Sequence, residues 1–146
     1  MKRIICIALV LVGLIGCLTA CNFTANIGGA LADKAESTPK VEEMMLALAE
    51  DRLSDAKALM HPQAAEKSAG GLSQVGSYLN GRKIGDMALT NVNISASTGT
   101  SGKVRQEQVV YQITLTDGEV IHINAVYLSN NDGSGFISFQ LVLGAI

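Results

Sequence analysis

The sequence contains few side chains that can act as nucleophiles, proton carriers or metal ligands. Its three cysteines, Cys6, Cys17 and Cys21, all lie within the first 21 of its 146 residues. Its two histidines, His61 and His122, lie far apart in the remainder of the chain. If the segment before Cys21 is removed, a single cysteine is left, which can form neither an intramolecular disulfide nor a thiolate metal site. The chemistry to be explained is therefore that of one thiol and two separated imidazoles.

The segment before Cys21 has the layout of an export signal. Lys2 and Arg3 provide a positively charged start, and residues 4–16 form an apolar run that is too short to span a bilayer comfortably. The residues Leu18-Thr19-Ala20-Cys21 follow, an aliphatic side chain and two small ones before the thiol. An ordinary secretory signal and an uncleaved anchor helix are the alternatives, but the order and spacing of these elements favour removal of residues 1–20 as a lipoprotein signal peptide.

Leu18-Thr19-Ala20-Cys21 resembles the lipobox of bacterial lipoproteins. The resemblance implies that the Cys21 sulfur receives diacylglycerol, that cleavage follows Ala20, and that the new amine is acylated, for example with palmitate. Two or three acyl chains anchor a protein stably in a membrane, whereas one chain is marginal. The resemblance also implies a location in the cell envelope. Because Asn22 is not an aspartate, we expect the outer membrane, facing the periplasm, if the source is Gram-negative.

Removal of residues 1–20 would leave 126 residues, which suits one domain. Residues 21–38 are rich in small side chains without a clear period, and we interpret them as a lipidated tether with a reach of roughly 20–25 Å. A helical turn or two over residues 27–35 is the alternative. Residues 39–146 are predicted to form a single α+β domain.

The charge of the mature chain argues against nucleic acid as a partner. Nine basic and thirteen acidic residues give it a net charge of −4, and no cluster of Lys or Arg interrupts this balance. Proteins that bind nucleic acid through phosphates need a basic surface. The chain also contains no Trp, which argues against a large aromatic surface on which bases could stack.

Three helices are predicted in the first half of the domain. The first should begin at Thr38-Pro39, since Thr38 can cap a helix and proline suits its first position. Ser54 can cap a short second helix that ends at His61-Pro62, and a third should end at Asn80-Gly81. Their apolar spacings predict inward faces formed by Val41, Met44, Met45 and Leu48, then Leu53, Ala56, Leu59 and Met60, then Leu72, Val75, Tyr78 and Leu79.

The second half of the domain is predicted to form four strands, at residues 87–95, 104–115, 119–128 and 136–143. In the last three strands one parity is apolar and the other is mixed, which is typical of an antiparallel sheet with one face on a core. The apolar rows are Val109, Tyr111, Ile113 and Leu115, then Ile121, Ile123, Ala125 and Tyr127, then Ile137, Phe139, Leu141 and Leu143. We therefore predict an α+β fold in which N-terminal helices pack on a curved, cone-like antiparallel sheet of about four strands.

The loop at Thr116-Asp117-Gly118 decides which residues face each other across the central hairpin. Asp-Gly favours a two-residue turn, which would place Ile113 opposite His122 and mix apolar with polar rows. A three-residue loop places Ile113 opposite Ile121 and Gln112 opposite His122. Because a shift of one residue moves a whole apolar row to the other face, burial should decide, and we predict the three-residue loop.

The short break at Glu50-Asp51-Arg52 and the following residues 53–62, with long strands after Asn80-Gly81, resemble the nuclear-transport-factor-2-like, or cystatin-like, superfamily of cone-shaped domains. The resemblance covers roughly residues 39–143 and concerns layout. It implies either a small cofactor-free enzyme, such as an isomerase or dehydratase, or a binding or scaffold module. Fold alone does not select among these.

The polar parity of the sheet contains the candidate contact residues Gln112, His122, Asn124 and Gln140. No acidic residue shares the parity next to His122, so a surface role is favoured over general-base catalysis. His61 is expected to be a solvent-facing or capping group, and Glu107 to mark a solvated strand start. No metal-ligand spacing, phosphate loop or nucleophile elbow occurs, and no cofactor or catalytic residue is predicted.

Three functional hypotheses result. The first is a membrane-anchored, non-catalytic module of the cell envelope that binds a small ligand or an envelope protein. The second is a cofactor-free enzyme that uses His122 in a cone cavity. The third is a subunit of an envelope assembly without a small ligand. An enzyme needs a histidine or carboxylate that points into a water-poor pocket, so the cavity discriminates among them.

Overall fold

Three helices precede four long strands in the computed structural model, which describes residues 6–7, 25–26, 35–100 and 102–144. The helices are α1 (Ser37–Ala49), α2 (Leu53–Ala58) and α3 (Ala69–Leu79). The long strands are β3 (Ile84–Gly99), β4 (Gly102–Leu115), β5 (Val120–Asn130) and β6 (Gly133–Leu143), and the two-residue strands β1 (Cys6–Ile7) and β2 (Ala25–Asn26) precede them all.

The sheet is antiparallel throughout and has the strand order β1-β6-β5-β4-β3-β2. The four long strands form a meander, and the two short strands lie at its two edges. The predicted α+β class, with helices on a curved sheet of four long strands, is confirmed.

The core forms between the helices and one face of the sheet, as the apolar spacings predict. The stripe of α1 is fully buried, and the predicted inward residues of α2 and α3 are either buried or packed against the core. On β4 and β5 every residue of the two predicted apolar rows is buried. Burying side chains of this size contributes about 1.5–3 kcal/mol each, which outweighs weak local preferences in fixing the sheet's orientation.

The central hairpin has the predicted three-residue loop. The Leu115 amide donates to the Glu119 carbonyl oxygen at 2.9 Å, and Gln112 pairs with His122. Gly118 has a φ of 89°, the left-handed conformation that favours glycine. The prediction from burial is confirmed, because this register keeps both apolar rows on the core face.

Strand β6 differs from its prediction at Ile137. Val126 pairs with Ser138 and Tyr127 pairs with Phe136, so Ile137 is the extra residue of a β-bulge. The bulge changes the parity of the strand. Phe136 is therefore the residue that is completely buried, whereas Ile137 is only half-buried. The start of β6 is also held against the end of α2, since the Phe136 amide donates to the Leu59 carbonyl oxygen at 3.0 Å.

The helix starts also differ in detail from the prediction. Helix α1 begins at Ser37, so Thr38 lies within its first turn, and Ser54 lies within α2. No side chain at the N-cap position of either helix makes a capping hydrogen bond. The groups that satisfy the first amides of α1 come instead from the sheet.

Candidate functional site

The four polar candidates lie on the sheet face opposite the helices. Gln112 faces His122 across β4 and β5, and Asn124 faces Gln140 across β5 and β6. His122 and Asn124 are two residues apart on β5 and therefore lie on the same face. The structure thus brings together on one face all four residues that the sequence analysis selected as candidate contacts. Their proximity alone does not indicate a reaction.

These residues belong to a surface with almost no charge. We call it the neutral face and define it as three rows of four cross-strand neighbours. The rows are Ala88, Gln112, His122 and Val142, then Asn91, Val110, Asn124 and Gln140, then Asn93, Gln108, Val126 and Ser138. His122 is the one ionisable side chain among these twelve positions, and six others are Asn or Gln. Amides can donate and accept hydrogen bonds at once, so the neutral face suits polar, uncharged contacts.

The surroundings of His122 do not resemble those of a general base. Its neighbours across the strands are Gln112 and Val142, and Val120 and Asn124 flank it on β5. All four are uncharged, and Nδ1 lies 2.9 Å from the carbonyl oxygen of Gly144. Since a carbonyl only accepts, Nδ1 must carry the hydrogen. The ring is thereby oriented by the backbone rather than by a carboxylate, which is the usual orienting group of a catalytic histidine.

Of the two roles predicted for His61, solvent-facing or capping, the solvent-facing one is wrong. Its side chain is completely buried, because the loop after α2 packs against β6. Nδ1 accepts from the Gln63 amide at 3.2 Å, so Nε2 carries the hydrogen and donates to Asn130 Oδ1 at 3.1 Å. His61 therefore connects the helical region to the end of β5 as a satisfied interior group.

The prediction for Glu107, a solvated position at a strand start, is also wrong. It is only 1% exposed. One carboxyl oxygen accepts from the Ser37 amide at 2.9 Å, and the other accepts from the Glu36 amide at 3.1 Å and from Arg105 Nε at 2.7 Å. Glu107 thus caps the start of α1 from the sheet, where the helix dipole favours an acceptor.

A signal for Glu107 was present in the sequence. It lies two residues before Val109 and shares the parity of the apolar row on β4. A charged residue that continues a buried row either ends the row or finds a partner inside the protein. The partner here is the first turn of a helix some 70 residues earlier, which periodicity on one strand does not reveal.

Comparisons of the chain with protein-family models, with curated proteins and with solved structures gave no match. Cys21, the predicted lipidation site, lies outside the described residues. Within the described part of the chain, no helix is long and apolar enough to cross a membrane. In the same part, no group of three or more His, Cys, Asp or Glu side chains is placed to hold a metal ion.

Proposed function

We propose that this chain is a bacterial lipoprotein anchored in the cell envelope through acylated Cys21, and that its domain is a non-catalytic binding module. Leu18-Thr19-Ala20-Cys21, placed after a charged start and a short apolar run, is the observation that carries the anchoring. The order of helices before a curved meander also fits the nuclear-transport-factor-2-like or cystatin-like resemblance, which is part of the same proposal.

The neutral face is the contact surface of this proposal. Gln112, Asn124 and Gln140 provide donors and acceptors there, and half-buried valines lie between them. Protein interfaces are depleted of charge at their centre, so a surface of amides and aliphatic groups suits a protein partner of the envelope or an uncharged ligand. The cofactor-free enzyme is the weaker candidate, because the groups around His122 are uncharged.

Anchoring is tested by intact-mass analysis of the membrane fraction. The wild-type chain should lack residues 1–20 and carry the added mass of two or three acyl chains. The Cys21→Ser variant should remain a longer, unacylated precursor. Cys17→Ser, which changes a thiol in the removed segment, is the matched control and should be processed like the wild type. An unacylated mature chain from the wild type would refute the anchoring.

The contact surface is tested on the same anchored protein. A photo-crosslinking amino acid at position 140, on the neutral face, should give a discrete adduct in the envelope, whereas the same group at the exposed position 66 should not. Adding Asn124→Arg should abolish the adduct, because it places an unpaired charge in the contact. Equal adducts from both positions, or no effect of Asn124→Arg, would exclude the neutral face as the contact surface.

A further inference from the structure

The outer side of β6, which faces away from β5, is covered at its start by the chain that follows α2. The Phe136 amide donates to the Leu59 carbonyl oxygen at 3.0 Å, and the Phe136 carbonyl oxygen accepts from the His61 amide at 2.9 Å. A Cβ at Gly135 would collide with the backbone of Met60 and His61, so the two segments pack backbone to backbone. This cover belongs to the domain and stays with it.

The end of β6 is covered by β1 instead. Cys6 pairs with Val142, and Ile7 pairs with Leu141, in antiparallel orientation. Among the residues that the structure describes, no other strand pairs with this part of β6 on its outer side. β1 lies within residues 1–20, the segment whose removal is part of the proposed function. Its removal would leave the backbone N–H and C=O groups on the outer side of β6 without a strand partner.

Strand β6 lacks the features that usually keep a free edge from pairing. Natural edge strands carry charged side chains or proline, or they bulge. The 11 residues of β6 include neither a charged residue nor a proline, and the bulge at Ile137 lies next to the part that the chain after α2 covers. Residues 138–143 therefore form a regular strand that is open to a partner adding a strand to the sheet.

A strand in the place of β1 lies in a groove between β6 and α3. Helix α3, which contains no charged residue, lies beside β1 on the face of the sheet that the helices cover. Ile7 is opposite Leu141, which is completely buried in the core, whereas Cys6 is opposite Val142 of the neutral face. Because side chains alternate along a strand, the groove favours an aliphatic side chain toward α3 and an uncharged one toward the neutral face.

The groove has room for a single strand and not for a second copy of the domain. Antiparallel pairing of β6 with β6 of another copy uses a two-fold axis perpendicular to the sheet, so both α3 helices would lie on the same side of the sheet. Each α3 would then cover the strand of the other copy, because α3 already lies beside the position of β1. Strands are about 4.8 Å apart, whereas a helix with its side chains is about 10 Å wide. Two helices cannot share that space.

We propose that removal of residues 1–20 opens the outer edge of β6 as a docking site for an extended, uncharged, aliphatic strand of an envelope protein. The partner strand pairs antiparallel to residues 138–143 and extends the neutral face by one strand beyond β6. This inference rests on the proposed function and deepens it, because it specifies the kind of partner. In the precursor the same edge is paired with the chain's own β1, so partner binding follows processing.

A peptide with the sequence of residues 2–9 is the probe, because it contains β1 and a single thiol, that of Cys6. The receptor is the processed chain carrying Val142→Cys in non-ionic detergent micelles. Acylation of Cys21 leaves the thiol at position 142 as the free one. Directly opposed residues of antiparallel strands have Cα atoms about 4.5–5.5 Å apart, which lies within the range for a disulfide. In a glutathione buffer, the disulfide between peptide and chain should therefore accumulate.

Two controls separate docking from non-specific thiol exchange. In an isomeric peptide with Cys6 and Ile7 exchanged, the thiol would point toward α3 and away from position 142. Its disulfide should form about tenfold less, because the thiol loses its high effective concentration. Asn91→Cys, in place of Val142→Cys, puts the thiol at an exposed position of β3, and it should react equally with both peptides.

Equal yields of the two peptides with Val142→Cys would overturn the docking site. A disulfide between two copies through position 142 that outcompetes the peptide would show that the occupant is a second copy, and the assignment to a partner strand would be wrong. The intact mass of the starting chain reports separately on the proposed function. Retained residues 1–20 would refute their removal and this proposal with it, whereas a processed chain with equal yields refutes the docking site alone.

Discussion

Glu107 shows how one buried acid connects two distant parts of the chain. Its two carboxyl oxygens accept two backbone amides at the start of α1 and Arg105 Nε on its own strand. These amides have no partner within the helix, because the first four N–H groups of any α-helix are left over. The sheet therefore provides the cap that the residue at the N-cap position does not.

Replacement of Glu107 by Gln should destabilise the protein by about 1–3 kcal/mol, since one amide of α1 would face an NH₂ group instead of an oxygen. Urea unfolding of the full chain, followed by circular dichroism, measures this loss. Glu66→Gln makes the same change at an exposed position and should stay within about 0.5 kcal/mol of the wild type. A Glu107→Gln variant as stable as this control would contradict the capping role.

At the level of elements, α3 and the β4–β5 hairpin are joined by a cluster of four side chains. Arg82 donates to Asp117 Oδ2 at 2.6 Å and also to Glu119, and the Tyr78 hydroxyl donates to Glu119 at 2.6 Å. The Arg82 guanidinium carbon lies 4.9 Å from the centre of the Tyr78 ring. Arg82 lowers the pKa of Asp117, and the Tyr78 hydroxyl together with Arg82 lowers the pKa of Glu119.

The lowered pKa values determine the direction of a pH effect. A carboxyl group whose pKa is lower in the folded chain stabilises the fold above its unfolded value, and this contribution is lost as the pH falls through the folded value. Arg82→Gln should therefore lower the urea midpoint at pH 7, and its difference from the wild type should shrink between about pH 5 and pH 3.

Lys83→Gln is the control for this experiment, because it removes a neighbouring positive charge that is exposed. Its difference from the wild type should remain nearly constant over the same pH range. A difference between Arg82→Gln and the wild type that stays constant or grows on acidification would show that the cluster does not contribute through its two carboxyl groups.

At the level of the whole molecule, the pairing of β2 with β3 determines how an acylated domain would be oriented. Ala25 pairs with Ile94, and Asn26 pairs with Asn93. Ala25 is only four residues from Cys21. A fully extended chain of that length spans at most about 14 Å. If Cys21 is in the membrane, we expect the β3 edge of the sheet to lie closer to the membrane than the β6 edge does. β6 lies three strands further away, or about 14 Å.

Labels at two positions in one row of the neutral face test this orientation. A fluorophore attached through Asn91→Cys on β3 should be quenched more strongly by nitroxide lipid headgroups than one attached through Gln140→Cys on β6. Vesicles without nitroxide lipid provide the baseline for each label. Equal quenching of the two labels would show that residues 21–38 act as a long flexible tether, with no fixed edge toward the membrane.

The sequence by itself determined which faces are buried. The stripe of Val41, Met44 and Met45 on α1 and the two apolar rows on β4 and β5 needed only the periods of helix and strand. The hairpin register followed from the same rows, because one register buries both of them and the other mixes them. The neutral face was predictable as the opposite parity. These features are local, or depend on neighbouring strands.

Only the tertiary structure decided the roles of Glu107, His61 and Ile137. Glu107 and Ser37 are 70 residues apart, and His61 and Asn130 are 69 apart. No period along one element relates such residues to each other. The bulge that displaces Ile137 lies where β6 also pairs with Met60, in the segment directly after α2. In each case the free energy comes from satisfying polar groups that folding has removed from water, and their partners exist only once distant segments have come together.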